Sequence, residues 1–213
     1  SSTVQIKLSA LFIAIEVGGT LAFAMSGLLE ATRKRMDIVG VFSVAFVSAF
    51  GGGTVRDVLL DRRPLFWIQH ELYLWLVRLL VLSAPLWLMT LRHKLGSWLM
   101  ELADAFGMGL FAISGTSIAT AADMPPLVAI LMGAITAVFG GVSRDVLCNE
   151  VPAIFADHRP YAVCSFAGAW SFLAVAWLQG PGWPALAAGI LVTAGLRLIA
   201  LARDWRVPGL AGR

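Results

Sequence analysis

Two Arg-Asp pairs inside otherwise apolar stretches are the residues of this sequence best able to do chemistry. They are Arg56-Asp57 and Arg144-Asp145. Glycines precede each pair: Gly51-Gly52-Gly53 in the first case, Gly140-Gly141 after Phe139 in the second. Glu16 and Asp104 each lie 40 positions before one of the arginines. A charge held in hydrocarbon costs about 2.5–3.5 kcal/mol on insertion scales, so such residues pair with one another or line a water-filled path. The chemistry to expect is passage of an ion or polar solute. No His-Glu-x-x-His zinc site or glycine-rich phosphate loop is present, and His70, His93 and His158 are scattered. Ser26-Gly27 and Ser114-Gly115 faintly suggest an intramembrane serine protease, but no histidine is suitably placed and small-residue helix packing is the better reading. No enzyme, cofactor or metal site is expected.

The elements that carry these residues are membrane spans. Of 213 residues 59% are hydrophobic and 14% charged, against roughly 25% charged in a soluble domain. The mean hydropathy is +0.82. A span needs about 20 mostly apolar residues. Seven such stretches are read: 8–29, 38–60, 72–91, 99–121, 127–147, 161–178 and 184–201. Ala22-Phe23-Ala24 resembles a leader cleavage site, but the first stretch contains Glu16 and is echoed later in the chain, so it is read as a span.

Let the N-terminus lie on face A and the C-terminus, after seven spans, on face B. Face B then holds Arg33, Lys34, Arg35, Arg92, Lys94, Arg159, Arg203, Arg206 and Arg213, and face A holds Lys7, Arg62 and Arg63. The positive-inside rule makes face B cytoplasmic and the N-terminus external. This loop bias accounts for the net charge of +3 without any nucleic acid. Cys148 and Cys164 are read as reduced packing residues.

The sequence also repeats itself. Residues 16–66 align with 104–154 at a constant offset of 88, with 16 identities in 51 positions. Each unit holds three spans, an odd number, so the second copy enters the membrane from the opposite face. The expected fold is an all-α membrane protein of seven transmembrane helices: two inverted three-helix repeats, at residues 8–91 and 97–178, and a seventh helix at 184–203. Folds of this kind place solute paths at the repeat interface, on interrupted helices. Each glycine costs about 1 kcal/mol relative to alanine in a helix, so spans two and five are expected to break at Gly51, Gly52 and Gly53 and at Gly140 and Gly141, with Phe139 as an apolar plug. Glu16 is expected to pair with Arg56, and Asp104 with Arg144. Asp57 and Asp145, as adjacent residues, would turn elsewhere, toward a water path that Ser48 and Thr136 supply with hydroxyls. Arg78 is read as a snorkelling side chain.

The duplicated Gly-Gly-x-x-Arg-Asp element, the three-helix units and the extra helix resemble the prokaryotic trimeric intracellular cation (TRIC) channels, whose units are also labelled a glycine-transporter domain. The resemblance covers nearly the whole chain. It implies a homotrimer in the inner membrane, with a pore in each protomer lined by spans two and five, conducting potassium or other monovalent cations among membrane lipids. Animal members carry Lys-Glu-Val where this chain reads Gly141-Val142-Ser143-Arg144-Asp145. The residues themselves leave two other readings open: a secondary transporter of a small zwitterion such as an amino acid, and a non-conducting structural subunit.

Overall fold

The computed structural model describes residues 2–91, 96–156 and 159–206. Arg92, His93, Lys94, His158 and Arg213 lie outside the described residues. Nine helices follow one another among them: α1 (Ser2–Arg33), α2 (Ile38–Leu59), α3 (Phe66–Gln69), α4 (Leu72–Leu91), α5 (Gly96–Ala121), α6 (Pro126–Leu147), α7 (Ala153–Ala156), α8 (Ala162–Gln179) and α9 (Trp183–Ala202). Seven are long and apolar enough to cross a membrane. Their bounds match the predicted spans to within a few residues. The first runs four residues further, to Arg33; on its last turn the Thr32 hydroxyl donates to the Leu28 carbonyl and Arg33 donates to Glu30 Oε1. The short helices α3 and α7 were not foreseen. One turn of helix carries no readable periodicity, since the apolar pattern needs a window of about 11–18 residues.

Helix ends follow local chemistry. Asp37 caps α2, its carboxylate accepting from the Gly40 N–H at 2.8 Å. α6 instead opens on Pro126, whose missing N–H costs nothing at a helix start. Five helices close through a left-handed residue: Asp204 after α9, and the pairs Arg35 and Asp123, and Asp61 and Asn149. Each member of a pair lies 88 positions from the other. The bonds that go with this closure run back five residues, for example from the Arg62 N–H to the Asp57 carbonyl at 2.7 Å and from the Glu150 N–H to the Asp145 carbonyl at 2.9 Å. The duplicated units therefore share their turns as well as their helices.

The core lies where the two units meet. α1 packs on α5 and α2 on α6, each helix against its own counterpart. Phe23 and Phe111, equivalent by the offset, stack with ring centroids 5.5 Å apart, and both are fully buried. Gly19 sits under the Phe111 ring and Gly107 under the Phe23 ring, where a Cβ would come within 3 Å of the aromatic atoms. α9 lies outside the pairing and packs on α8 and α5. α4 is the least covered span, with 22% of its apolar window buried, and α5 the most covered, with 72%.

The helical run continues through the glycines of α2 and α6. In the structure these glycines are contact points. A Cβ on Gly52 would stand 2.1 Å from the Thr136 carbonyl oxygen, and one on Gly140 would stand 2.8 Å from that of Ser48. Because lipid offers helices no hydrophobic drive to associate, close approach over small residues is what joins them.

Candidate functional site

Arg56, near the end of α2, is fully buried. Its Nη1 donates to Glu16 Oε1 at 2.9 Å and its Nη2 to Oε2 at 3.4 Å. Its Nε donates to Asp57 Oδ1 at 2.8 Å. Nη1 also donates to the Ser114 hydroxyl at 2.7 Å, and that hydroxyl donates in turn to Glu16 Oε1. The guanidinium lies over the Phe66 ring, 5.2 Å from its centroid.

The second station repeats the first from the other face. Arg144, 3% exposed, donates through Nη1 to Asp104 Oδ1 at 2.5 Å and through Nε to Asp145 Oδ1 at 2.8 Å. Nη1 also donates to the Ser26 hydroxyl. The predicted pairs Glu16–Arg56 and Asp104–Arg144 are therefore both formed.

The expectation for Asp57 and Asp145 does not hold. Neither turns away from its neighbouring arginine. Each carboxylate spends one oxygen on that arginine and the other on a backbone N–H of the following short helix, Phe66 at 2.8 Å and Ala153 at 2.9 Å. Sequential residues do not share a helix face, but these lie at a helix end, where the carboxylate can close back on the arginine and cap the next helix. Arg62, 3.4 Å from Asp57 Oδ1, adds a partly exposed cation to the first station.

Ser48 and Thr136 are fully buried, and each lies under a glycine of the preceding span, Gly27 and Gly115 respectively. The Thr136 hydroxyl donates to the Met132 carbonyl, and the Ser48 hydroxyl has no partner. Gly51 faces the Ser143 side chain, and Phe139 is 37% exposed.

Sequence reasoning missed three groups. Ser26 and Ser114 were read as small packing residues, yet each crosses to the arginine of the other unit. Tyr161 donates its hydroxyl to Asp104 Oδ2 at 2.8 Å. It is the counterpart of Tyr73 at the same offset of 88, just past the aligned stretch, which was the available signal. Arg197 of α9 lies over the Tyr161 ring, 4.7 Å from its centroid, and donates to the Pro160 carbonyl at 3.1 Å. Nothing in the repeat points to it, because α9 has no counterpart.

On face A a cavity of about 240 Å³ reaches the first station, lined by Ile13, Glu16, Arg62, Phe66, His70 and Tyr73 among others. No group of three or more His, Cys, Asp or Glu placed to hold a metal ion occurs among the described residues. Cys148 and Cys164 are buried free thiols.

The Glycine transporter family model matches this chain twice, over residues 13–88 and 101–177. A UPF0126 membrane protein of Vibrio cholerae is 34% identical over 95% of this chain and 84% of its own length. The UPF0126 inner membrane protein YadS of Escherichia coli is 34% identical over 92% of this chain and 95% of its own. Among solved structures, a TRIC trimeric intracellular cation channel orthologue from Rhodobacter sphaeroides superposes with a TM-score of 0.84 at 32% identity, over 92% of this chain and 99% of that one. A second TRIC cation channel superposes at 0.82 with 33% identity, over 95% and 98% of the two chains.

Proposed function

This chain belongs to the Glycine transporter family of membrane proteins and shares its fold with TRIC channels, and we propose that it is a passive channel for monovalent cations, potassium first among them. One observation carries the choice of sign. Each buried arginine is bracketed by two carboxylates: Arg56 by Glu16 and Asp57, Arg144 by Asp104 and Asp145. At the first station the half-exposed Arg62 beside Asp57 offsets the second carboxylate; the second station keeps an excess negative charge in a medium where charge is weakly screened, and that excess favours a cation over an anion or a zwitterion.

The path runs inside the protomer, from the face A cavity past Glu16, along α2 and α6, to Asp104 and Asp145. Its narrowest point is the crossing where Gly52 meets Thr136 and Gly140 meets Ser48, and opening separates the two helices there. Ser48 and Thr136 offer oxygens beside that crossing. The functional units are residues 8–91 and 97–178, with 184–203 as an outer helix. The solved relatives described as trimeric channels support a homotrimer in a bacterial inner membrane, and the basic loops support a cytoplasmic face B.

The test is single-channel recording of the purified protein in planar bilayers under a potassium chloride gradient. Discrete openings with a reversal potential on the potassium side are expected. Silence at every voltage together with saturable amino-acid uptake into proteoliposomes would replace the channel by a transporter.

A further inference from the structure

Among the described residues, one buried carboxylate lies outside the two arginine stations. Glu30 of α1 is 3% exposed. Its Oε1 accepts from Arg33 at 2.9 Å, while its Oε2 is buried without a hydrogen-bond partner. Glu30 follows Ser26 by four residues, so the two share a face of α1, and the Ser26 hydroxyl accepts from Arg144. Cys148, 4% exposed, follows Arg144 by the same step. Cys148 shares a buried cluster with Leu28 and Ala31, the α1 residues that flank Glu30, and burial, and after it the charge of Glu30, pushes its thiol up. One turn beyond Arg144, toward face B, lie a buried carboxylate and a thiol set among apolar side chains.

The same step outward from Arg56 gives a different pair. Ile118 follows Ser114, and Leu60 follows Arg56. Ile118 is buried, and Leu60 packs on Ala119, Ala129 and Met132. The two units, alike at the arginines, differ one turn further out: hydrocarbon on face A, carboxylate and thiol on face B.

We propose that Glu30 is a cation-binding residue of the face B mouth, its unpartnered Oε2 holding a partly dehydrated monovalent cation of the potassium type one turn beyond Arg144. A buried carboxylate oxygen accepts only from a donor or a cation. Of the other nearby bases, Lys34 is engaged by Glu150, and Arg144 by Asp104 and Asp145. A single hard oxygen beside a protonated thiol is a poor site for a divalent or soft metal, and no cluster of three metal-ligating residues surrounds it among the described residues. The binding itself does not depend on flux; only its consequence, enrichment of cations at the cytoplasmic end of the path, rests on the channel reading.

The experiment is thermal unfolding of the purified chain in detergent as potassium replaces choline at constant ionic strength. A ligand held only by the folded state raises Tm with its concentration, by about 3–6 °C at ten times half-saturation for a chain of this size. The rise is expected in the unaltered protein and lost in Glu30→Gln. No rise in the unaltered protein, or a rise that survives Glu30→Gln, overturns the proposal. Should Glu30→Gln not fold, a Cys164→Ala protein that keeps Glu30 decides: potassium slows alkylation of Cys148 several-fold if the site exists, and leaves it unchanged if it does not. A chain that shows the Glu30-dependent shift yet conducts nothing would sink the channel and spare this site. Conduction without the shift would do the reverse.

Discussion

Ser114 of α5 accepts from Arg56 of α2 at 2.7 Å, joining the serine of one unit to the arginine of the other. Ser26 and Arg144 make the reciprocal contact. The arginines are therefore shared stations, each built from both units. Neither unit folded alone could satisfy its own guanidinium fully, which ties the charge pattern to the assembly of the two units.

Ser114→Ala removes one acceptor from a fully buried cation. Hydrogen bonds to charged groups contribute about 1.5–3 kcal/mol, and a loss in that range is expected by thermal or denaturant unfolding in detergent. Ser26→Ala should cost a similar amount. A change below about 0.5 kcal/mol in both would mean that the serines only fill space.

Gly52→Ala and Gly195→Ala should separate packing from propensity. A Cβ at Gly52 collides with the Thr136 carbonyl at 2.1 Å, whereas one at Gly195 meets nothing within 4 Å. Gly195→Ala should be neutral or stabilising by up to about 1 kcal/mol. Gly52→Ala should destabilise by about 1–3 kcal/mol through overpacking. Equal behaviour of the two in a melting experiment would remove the α2–α6 contact from the account.

Asp57→Asn and Asp145→Asn keep an oxygen for the backbone N–H of Phe66 or Ala153 but each delete one negative charge, which at the second station is the excess over Arg144. If the excess charge sets selectivity, the potassium-to-chloride permeability ratio should fall several-fold in the double variant, read from the reversal potential. An unchanged ratio in a folded double variant would refute the charge argument.

Two surface pairs predict the acid limb of stability. Lys34 holds the Glu150 carboxyl below its usual range, and Arg206, followed by Arg159, does the same for Asp204. A carboxyl with a depressed folded pKa contributes stability that is present above its unfolded value, near 4.5 for Glu150 and 3.8 for Asp204, and lost as pH falls through the folded value. Stability measured downward from pH 5 should fall less steeply in Glu150→Gln and Asp204→Asn, and the difference should shrink in high salt, because both pairs are exposed. Identical slopes would show the pairs to be inert.

The loop charges predict topology. A reporter fused to the C-terminus should be active only in the cytoplasm, and one at the Asp123 turn between α5 and α6 only outside. The opposite pattern would reverse the orientation drawn from the nine basic residues of face B.

Much of this protein was legible without coordinates. Seven spans follow from hydropathy and length, because a bilayer leaves an apolar stretch of about 20 residues little choice but a helix. The inverted duplication follows from the constant offset of 88, and the pairs Glu16–Arg56 and Asp104–Arg144 follow from the duplication plus the cost of a lone buried charge. The roles of Ser26, Ser114 and Arg197 were hidden, since each acts across a boundary that no local pattern crosses, and that of Tyr161 showed only in its offset of 88 from Tyr73. So was the behaviour of Asp57 and Asp145, where a helix end overrode the rule that neighbours face apart. Glu30 drew no notice, for a glutamate near a span end reads as an ordinary interfacial residue until burial leaves one oxygen without a partner. Composition and periodicity thus determined which segments cross the membrane and which charges must be compensated. Only the packing of α1 on α5 and α2 on α6 decided which atoms compensate them, because hydrogen-bond partners in a membrane core are chosen by proximity across helices and not by distance along the chain.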